Sequence, residues 1–403
     1  MRKPSLGSIF FTVFLDLLGF GLVLPFLAEE ARDNFGASPF VGTLLAAIYS
    51  LMQFVFVPIW GRLSDNIGRR PILLWSVAAT ALGMAGLGTA IAFGQGVFWL
   101  FAARAFSGIA TANLGTASAY IADVTAPEDR ARGMGLIGVA FGLGFILGPG
   151  VGGALADIPI NGRHGPLACY AAAGLSVINL VWVFFGLGES LPPDRRSTVK
   201  RSLSPFNVAA AKITFAIPDI GVAILVNFLI VVSFTNLDQT FRFFNKDLFG
   251  MTPMETGLVL AVIGVIAAVV QGGFIRPLAR RYDEAILIRA GVFLQMVAFV
   301  GLAIAPSFGR QALYASGAIL AFGNGLTQPS LSSFISRRAD PKEQGSTMGT
   351  NQAVASLARM FGPACGGYLY GAFGPRSPYV AAALGMTLAL VIALSLRKRQ
   401  KTG

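Results

Sequence analysis

The chain has 403 residues, 54% of them hydrophobic and only 12% charged, about half the charged share of an ordinary soluble protein. A single histidine, His164, leaves no histidine-built metal site or catalytic triad, and the apolar segments supply neither a Ser/His pair nor two facing carboxylates. An intramembrane enzyme is therefore not the reading, and no cofactor is called for. The net charge of +12 could suggest nucleic acid, but its distribution along the chain assigns it to membrane topology instead. Cys169 and Cys365 both lie in apolar stretches and read as packing residues.

Apolar runs of about twenty residues, the length that crosses a ~30 Å hydrocarbon core, recur throughout. They predict an all-α polytopic membrane protein with twelve spans, at 8–28, 40–60, 72–93, 98–122, 133–156, 167–187, 220–242, 255–275, 286–305, 311–334, 346–371 and 378–396. The first run is long enough to span and no small-residue cleavage site follows it, so it reads as a membrane helix and not as a cleaved leader. An even number of spans puts both termini on one side. Assigning the loops alternately places 23 of the 31 Lys and Arg on that side and six opposite. By the positive-inside rule both termini are cytoplasmic.

From the N-terminus, the first span contains "FLDLLGFGLVLPFL" (14–27), which places Asp16 ~12 Å from the cytoplasmic end. A carboxylate at that depth is costly and by default marks function: it can take up a proton when one face is open and release it at the other. A structural carboxylate paired with a neighbouring helix is the other reading. After the second span, "GRLSDNIGRRP" (61–71) offers Gly61 for close helix approach, Asp65, Asn66 and Gly68 for a tight turn, and Arg69 and Arg70 as anchors at the cytoplasmic face. The fourth span holds Arg104 in "LFAARAFSG" (100–108), ~9 Å from its outer end. The fifth, "GVAFGLGFILGPGVGGALA" (138–156), is apolar yet rich in glycine and holds a proline, residues that cost a soluble helix about 1 and about 3 kcal/mol each relative to Ala. In lipid a glycine face lets a helix lie close on its neighbour, and Pro149 leaves a carbonyl unpaired and bends the helix.

The longest polar stretch, "GESLPPDRRSTVKRSLSPFN" (188–207), divides six spans from six, giving an N-terminal bundle at 1–188, a cytoplasmic linker at 189–218 and a C-terminal bundle at 219–403. The halves repeat. "YIADVTAPEDRARGMG" (120–135) aligns with "FISRRADPKEQGSTMG" (334–349) at an offset of 214, and the same offset sets "GPGVGG" (148–153) on "GPACGG" (362–367) and "FGASP" (35–39) on "FGMTP" (249–253). Two six-helix repeats with a substrate near mid-membrane between them are an alternating-access design. In the second half, Asp238 and Arg242 lie one turn apart and read as an ion pair, Asp238 being also a cavity candidate. Arg359, in "LARMFGP" (357–363), lies ~20 Å from its cytoplasmic end, near the depth of Arg104. Arg104 and Arg359 against Asp16 favour a cavity that accepts anionic or acceptor-rich groups; alternatively, either arginine bonds only to carbonyls. Asn113, Asn227, Asn324 and Gln328 are further polar candidates.

Together with the repeat, the 61–71 loop resembles the signature of the major facilitator superfamily, a glycine and an aspartate followed by Gly-Arg-Arg or Gly-Arg-Lys. The second half keeps only a remnant, "GGFIRPLARRYD" (272–283). Gly135, Gly144, Gly148, Pro149, Gly152 and Gly153 match the spacing of the fifth-helix antiporter motif, which implies a pliable gate helix in an exporter. The segment around Arg104 resembles the fourth-helix motif, whose arginine is implicated in proton coupling. With the first span, the pattern is similar to tetracycline and multidrug exporters of the twelve-helix drug:proton antiporter branch. The resemblance implies an antiporter of a bacterial-type inner membrane, driven by the proton gradient, that exports amphiphilic drugs or metabolites, with Asp16 as proton site and Arg104 modulating it; a monomer is expected. A one-sided cytoplasmic latch is expected as well, Asp65 meeting the N-terminus of the eleventh helix and Asp123 and Arg132 extending the charge network. Tetracycline exporters carry acids in the third and ninth spans and a histidine in the eighth; here 72–93 and 290–305 hold no charge and 256–275 no histidine, so tetracycline itself is not implied. The alternative is a carrier for organic anions, lipids or sugars that uses Arg104 and Arg359, with or without protons.

Overall fold

A computed structural model describes residues 4–24, 26–125, 130–196, 208–339 and 344–396, without the side chains of 130–135, 138, 141, 145, 195, 208–211, 218, 276 and 344–346. Arg132 and Gly135, expected in the latch and the gate helix, thus lie outside the described side chains. Hydrocarbon offers a backbone amide no partner, so a spanning chain closes its hydrogen bonds within helices. The described residues form sixteen of them: α1 (Leu6–Val23), α2 (Leu27–Phe35), α3 (Pro39–Ile67), α4 (Arg69–Ala92), α5 (Val97–Ala110), α6 (Leu114–Val124), α7 (Arg130–Ala156), α8 (Pro166–Gly186), α9 (Val208–Ala216), α10 (Pro218–Phe249), α11 (Pro253–Val269), α12 (Ile275–Arg281), α13 (Glu284–Ile304), α14 (Arg310–Arg338), α15 (Gln344–Phe373) and α16 (Ser377–Ala393).

Eight helical stretches among the described residues are long and apolar enough to cross a membrane, and Gly142–Ala156 and Ser377–Ala393 are shorter apolar helices. The long α14 and α15 are more polar; with them the set is consistent with twelve spans. Three expected spans are not single α-helices. The first stops at Val23 and resumes as α2, the fourth breaks at Thr111–Asn113, and the eighth passes through a π turn, Val270–Phe274, that contains Gly272 and Gly273. Caps explain several ends. The Ser5 hydroxyl accepts from the Ser8 N–H (3.1 Å) to start α1, and Ser38 accepts from Val41 (3.3 Å) to start α3. Gly36 and Gly250, related by the 214-residue offset, end α2 and α10 with φ of 65° and 62°, the left-handed cap that glycine adopts without strain.

The chain resolves into two compact units, one of Met1–Pro205 with Thr252–Ala261 and one of Phe206–Met251 with Val262–Gly403. In the first, α1 packs on α7 and α8, α3 on α5, and α4 on α5 and α8. Leu22, Phe26, Leu45, Met84, Leu87, Leu100 and Cys169 form one core cluster, and Ile9, Val13, Leu73, Tyr120 and Val183 a second. The second unit repeats the pattern, with α10 on α15 and α16 and α13 on α14 and α16.

The glycines of the fifth span form the seam with α1. A Cβ on Gly144 would stand 3.0 Å from the Leu17 carbonyl carbon, one on Gly148 2.7 Å from Gly21 Cα, and one on Gly152 would meet the backbone of Leu22. The opposite side of α7 is as tight, since a Cβ on Gly153 would come 2.5 Å from the Pro253 carbonyl oxygen. Small residues are thus placed where two backbones touch, which in lipid replaces a hydrophobic driving force. By contrast, a Cβ on Gly142 meets nothing within 4 Å. Overpacking a tight site typically costs ~1–3 kcal/mol, so Gly148→Val should lower the thermal unfolding midpoint of the detergent-purified protein or abolish its folded yield, while Gly142→Val leaves both near wild type. Equal behaviour of the two variants in a fluorescence-detected melt would contradict the seam.

Candidate functional site

Asp16 lies in α1, and two amides hold its carboxylate. Oδ2 accepts from Asn113 Nδ2 at 2.9 Å and Oδ1 from Asn179 Nδ2 at 3.0 Å; Asn179 Nδ2 also donates to the Thr12 carbonyl, 3.0 Å. Asn179 is fully buried on α8, and Asn113 immediately precedes α6. The acid therefore joins the first, fourth and sixth spans at one point, and neither partner is cationic.

The break beside Asn113 is supported residue by residue. A helix that ends inside a membrane leaves its last carbonyls without partners. Here the Ile109 carbonyl accepts from Trp60 Nε1 at 2.6 Å, the Ala110 carbonyl from the Ser76 hydroxyl, and the Thr111 carbonyl from Gln53 Nε2 at 3.5 Å. Side chains of α3 and α4 thus take over from the interrupted helix. Discontinuous helices of this kind mark binding sites in many transporters.

Arg104, 2% exposed, makes no ion pair with Asp16. Its Nε donates to the Leu45 carbonyl (3.3 Å), and its guanidinium carbon lies 4.2 Å from the ring centre of Tyr49 and 6.0 Å from that of Phe20. Those two rings stack at 5.2 Å, a cation–π arrangement over paired aromatics. Arg104 Nη1 is buried without a hydrogen-bond partner. The Tyr49 hydroxyl accepts from Thr111 Oγ1 (2.7 Å) and Gln53 Nε2 (3.2 Å). One polar path therefore runs from Arg104 across the Tyr49 ring and hydroxyl to Thr111, and two residues on to Asn113 and Asp16.

At the 61–71 loop, α3 ends at Ile67, Gly68 turns with φ 110°, and α4 begins at Arg69. Arg69 is buried between acids: Nη1 reaches Asp65 Oδ1 at 2.5 Å and the Ser64 hydroxyl at 2.7 Å, and Nε reaches Asp123 Oδ2 at 3.2 Å. The N–H groups of Arg69 and Arg70 both donate to the Glu189 carboxylate, at 2.9 and 3.2 Å. That acid caps α4 from 120 residues away. A Cβ on Gly61 would meet nothing within 4 Å. The close helix approach expected there is absent, because this face of α3 is open at Gly61; the residue instead gives its carbonyl to the Ser64 hydroxyl, 2.6 Å.

In the second unit the candidates are spread over three helices. On α10, Asn227 Nδ2 donates to Asn351 Oδ1 at 2.9 Å. Asp238 accepts from Gln239 Nε2 at 2.8 Å, while Arg242 Nη1 turns to the Met251 carbonyl at 2.5 Å. The expected Asp238–Arg242 pair is thus not formed: Asp238 takes the neighbouring Gln239 amide, and the guanidinium reaches the Met251 carbonyl in the loop that follows α10. Asn324 and Gln328 are half-buried on α14, and Arg359 on α15 donates to the Ser356 hydroxyl at 2.8 Å.

Sequence reasoning passed over Asn179, Tyr49, Gln53, Thr111 and Glu189, and also Glu29 and Glu30, which α2 buries to 3% and 4% exposure. The signal was available for the first four: each is a hydrogen-bonding side chain inside an apolar run, where it needs a partner.

The Major Facilitator Superfamily model matches residues 9–359 and 308–403. The tetracycline resistance protein, class C, of Escherichia coli is 34% identical over 395 residues, covering 96% of this chain and 95% of that protein. Multidrug resistance protein 2 of Bacillus subtilis (strain 168) is 26% identical, covering 96% of this chain and 94% of that one. Among solved structures, the human organic anion transporter MFSD10 (TETRAN) superposes with a TM-score of 0.72 at 24% identity, over 97% of this chain and 100% of that one. A bacterial homologue of the human lysosomal transporter Spinster does so at 0.78 and 15%, over 98% and 97%. With a family model matched along the chain and a relative aligned almost end to end, this helical membrane protein belongs to the major facilitator superfamily, a family of transporters and not of enzymes.

Proposed function

We propose that the chain is a proton-coupled antiporter of an inner membrane that exports amphiphilic drug-like compounds or metabolites by alternating access, with both termini cytoplasmic, no cofactor, and Asp16 as the proton site. The observation that carries this reading is the binding of a lone carboxylate in the first span by amides from the fourth and sixth. As an anion, Asp16 accepts both. A proton on one oxygen turns that acceptor into a donor, so one amide N–H loses its partner. Asn179 Oδ1, buried and without a hydrogen bond, becomes the acceptor for the new O–H once its amide turns over. If Asn113 is released instead, it frees the segment where the fourth span is already broken. Charge state is thereby converted into helix position, and no cationic partner has to move. The tetracycline and multidrug resistance proteins among the relatives support the class of substrate, and the path through Thr111 and Tyr49 gives Arg104 its modulating role.

Asp16→Asn keeps the shape and one donor-acceptor pair but takes up no proton. In proteoliposomes it should abolish substrate accumulation driven by a pH gradient while downhill exchange persists. Undiminished gradient-driven transport by this variant would remove Asp16 from the coupling.

A second reading, a carrier for organic anions, is favoured by the unpartnered Arg104 Nη1 and by the half-buried Arg359. A charge-assisted hydrogen bond contributes about 1.5–3 kcal/mol, so under this reading Arg104→Gln and Arg359→Gln each weaken carboxylate-bearing compounds about tenfold or more while cationic compounds are unaffected. Equal effects on the two charge classes, measured by competition against a transported dye, would decide against it.

A further inference from the structure

The first unit has a groove apart from Asp16 and its partners, where the start of α4 faces the end of α8. Its volume is about 740 Å³, within the usual range of small-molecule sites. Leu74 and Trp75 of α4 and Leu180 and Phe184 of α8 form its apolar walls, and Arg70 and Arg196 stand at its polar end. Trp75 is 70% and Phe184 56% exposed, so on membrane-spanning helices both present aromatic surface to lipid. From Arg70 to Ala78, which also lines the groove, α4 advances ~12 Å, charged at one end and apolar beyond.

The charges lining the polar end, two guanidinium groups and the Glu189 carboxylate, leave one positive charge unbalanced within the groove. Arg70 Nη2 donates to the Phe184 carbonyl (2.6 Å) with the guanidinium 5.9 Å from the Phe184 ring centre, and its Nε is buried without a partner. Arg196 donates from Nε to the Leu191 carbonyl at 3.5 Å. The groove's one carboxylate, Glu189, is already engaged by the N–H groups of Arg69, Arg70 and Leu191. Two guanidinium groups and this one carboxylate thus face a groove whose remaining lining residues are apolar.

We propose that this groove binds one anionic phospholipid, its phosphate on Arg70 and Arg196 and an acyl chain along Leu74, Trp75, Leu180 and Phe184. A basic pocket between helices at the arginine-rich face of a membrane suits such a headgroup, and a zwitterionic lipid would leave one guanidinium charge uncompensated. Because Arg196 lies beyond α8 and Arg70 opens α4, the bound lipid would staple the polar segment after α8 to the 67–70 turn.

The test is native mass spectrometry of the full chain released from micelles with equal amounts of phosphatidylglycerol, phosphatidylethanolamine and phosphatidylcholine. The expected result is preferential retention of phosphatidylglycerol, reduced about tenfold or more by Arg70→Gln with Arg196→Gln. Arg280→Gln with Arg281→Gln, the same charge loss elsewhere, should leave retention unchanged. Leu180→Trp, which fills the groove and keeps both arginines, should also abolish the preference. Bromine-labelled phosphatidylglycerol in nanodiscs should quench wild-type tryptophan fluorescence more than labelled phosphatidylcholine, and Trp75→Phe should remove the difference. These last two measurements decide if the double arginine variant does not fold. Equal retention of the three lipids, an equal loss in the Arg280/Arg281 control, no effect of Leu180→Trp, or displacement by inorganic phosphate alone would each overturn the proposal.

Discussion

A backbone amide inside hydrocarbon must find its partner within protein, and each failure costs several kcal/mol. The architecture follows from meeting that demand and from the few places where a helix is interrupted. At the break in the fourth span, Trp60, Ser76 and Gln53 take three consecutive carbonyls. With the backbone satisfied by others, Asn113 is free to turn its amide on Asp16. The interruption and the acid are therefore one device: without the three supporting side chains the break would be too costly, and without the break Asn113 would be one more residue of a regular helix.

Most of the fold was legible because its causes are local and repeated. Apolar length, the charge bias of the loops and the 214-residue offset are properties of the string, as is the glycine spacing that picks out the face of α7 against α1. The partners of Asp16 were only half legible. Asn113 stood out as a polar candidate, but its exact target did not. Asn179, 163 residues from Asp16, meets it only after the sixth span has folded back on the first. Gly61 misled in the opposite sense, since a glycine in a loop signature looks like a packing residue whatever stands opposite it. Glu189 was hidden because it belongs to a polar stretch whose composition reads as linker.

The two halves solve one problem in two ways. The offset of 214 that relates them pairs Arg69 with Asp283, and Asp283 caps its own helix, accepting from the Ala285 N–H at 2.9 Å. In the first half that position is the arginine that Asp65 and Asp123 hold, so α4 has no cap of its own and takes Glu189 from beyond α8. The charge cluster was accommodated at the expense of a local cap, and a residue past the sixth span now stabilises the start of the third. Repetition of sequence thus coexists with different ties to the chain at or beyond the end of each half's last helix: Glu189 caps α4, whereas Arg289 of α13 donates to the carbonyls of Ala393 and Leu394 at 3.0 Å each.

The pairing of Asp16 has a consequence for biosynthesis. Its two amides lie 97 and 163 residues downstream, and chains elongate at ~5–20 residues per second. The first span must therefore enter the membrane with its acid unaccompanied and wait on the order of ten seconds or more for the sixth. An aspartate at the centre of an inserting helix is disfavoured by about 2.5–3.5 kcal/mol, against roughly 0.3–0.6 kcal/mol gained per Leu, Ile, Phe or Val. The stretch that begins at Leu6 has a mean hydropathy of 2.2 in its most apolar window, and α1 reads LGSIFFTVFLDLLGFGLV. Its run of phenylalanine and leucine on both sides of Asp16 meets the needs of the newborn chain at the translocon, before any of the contacts that later hold the acid exist.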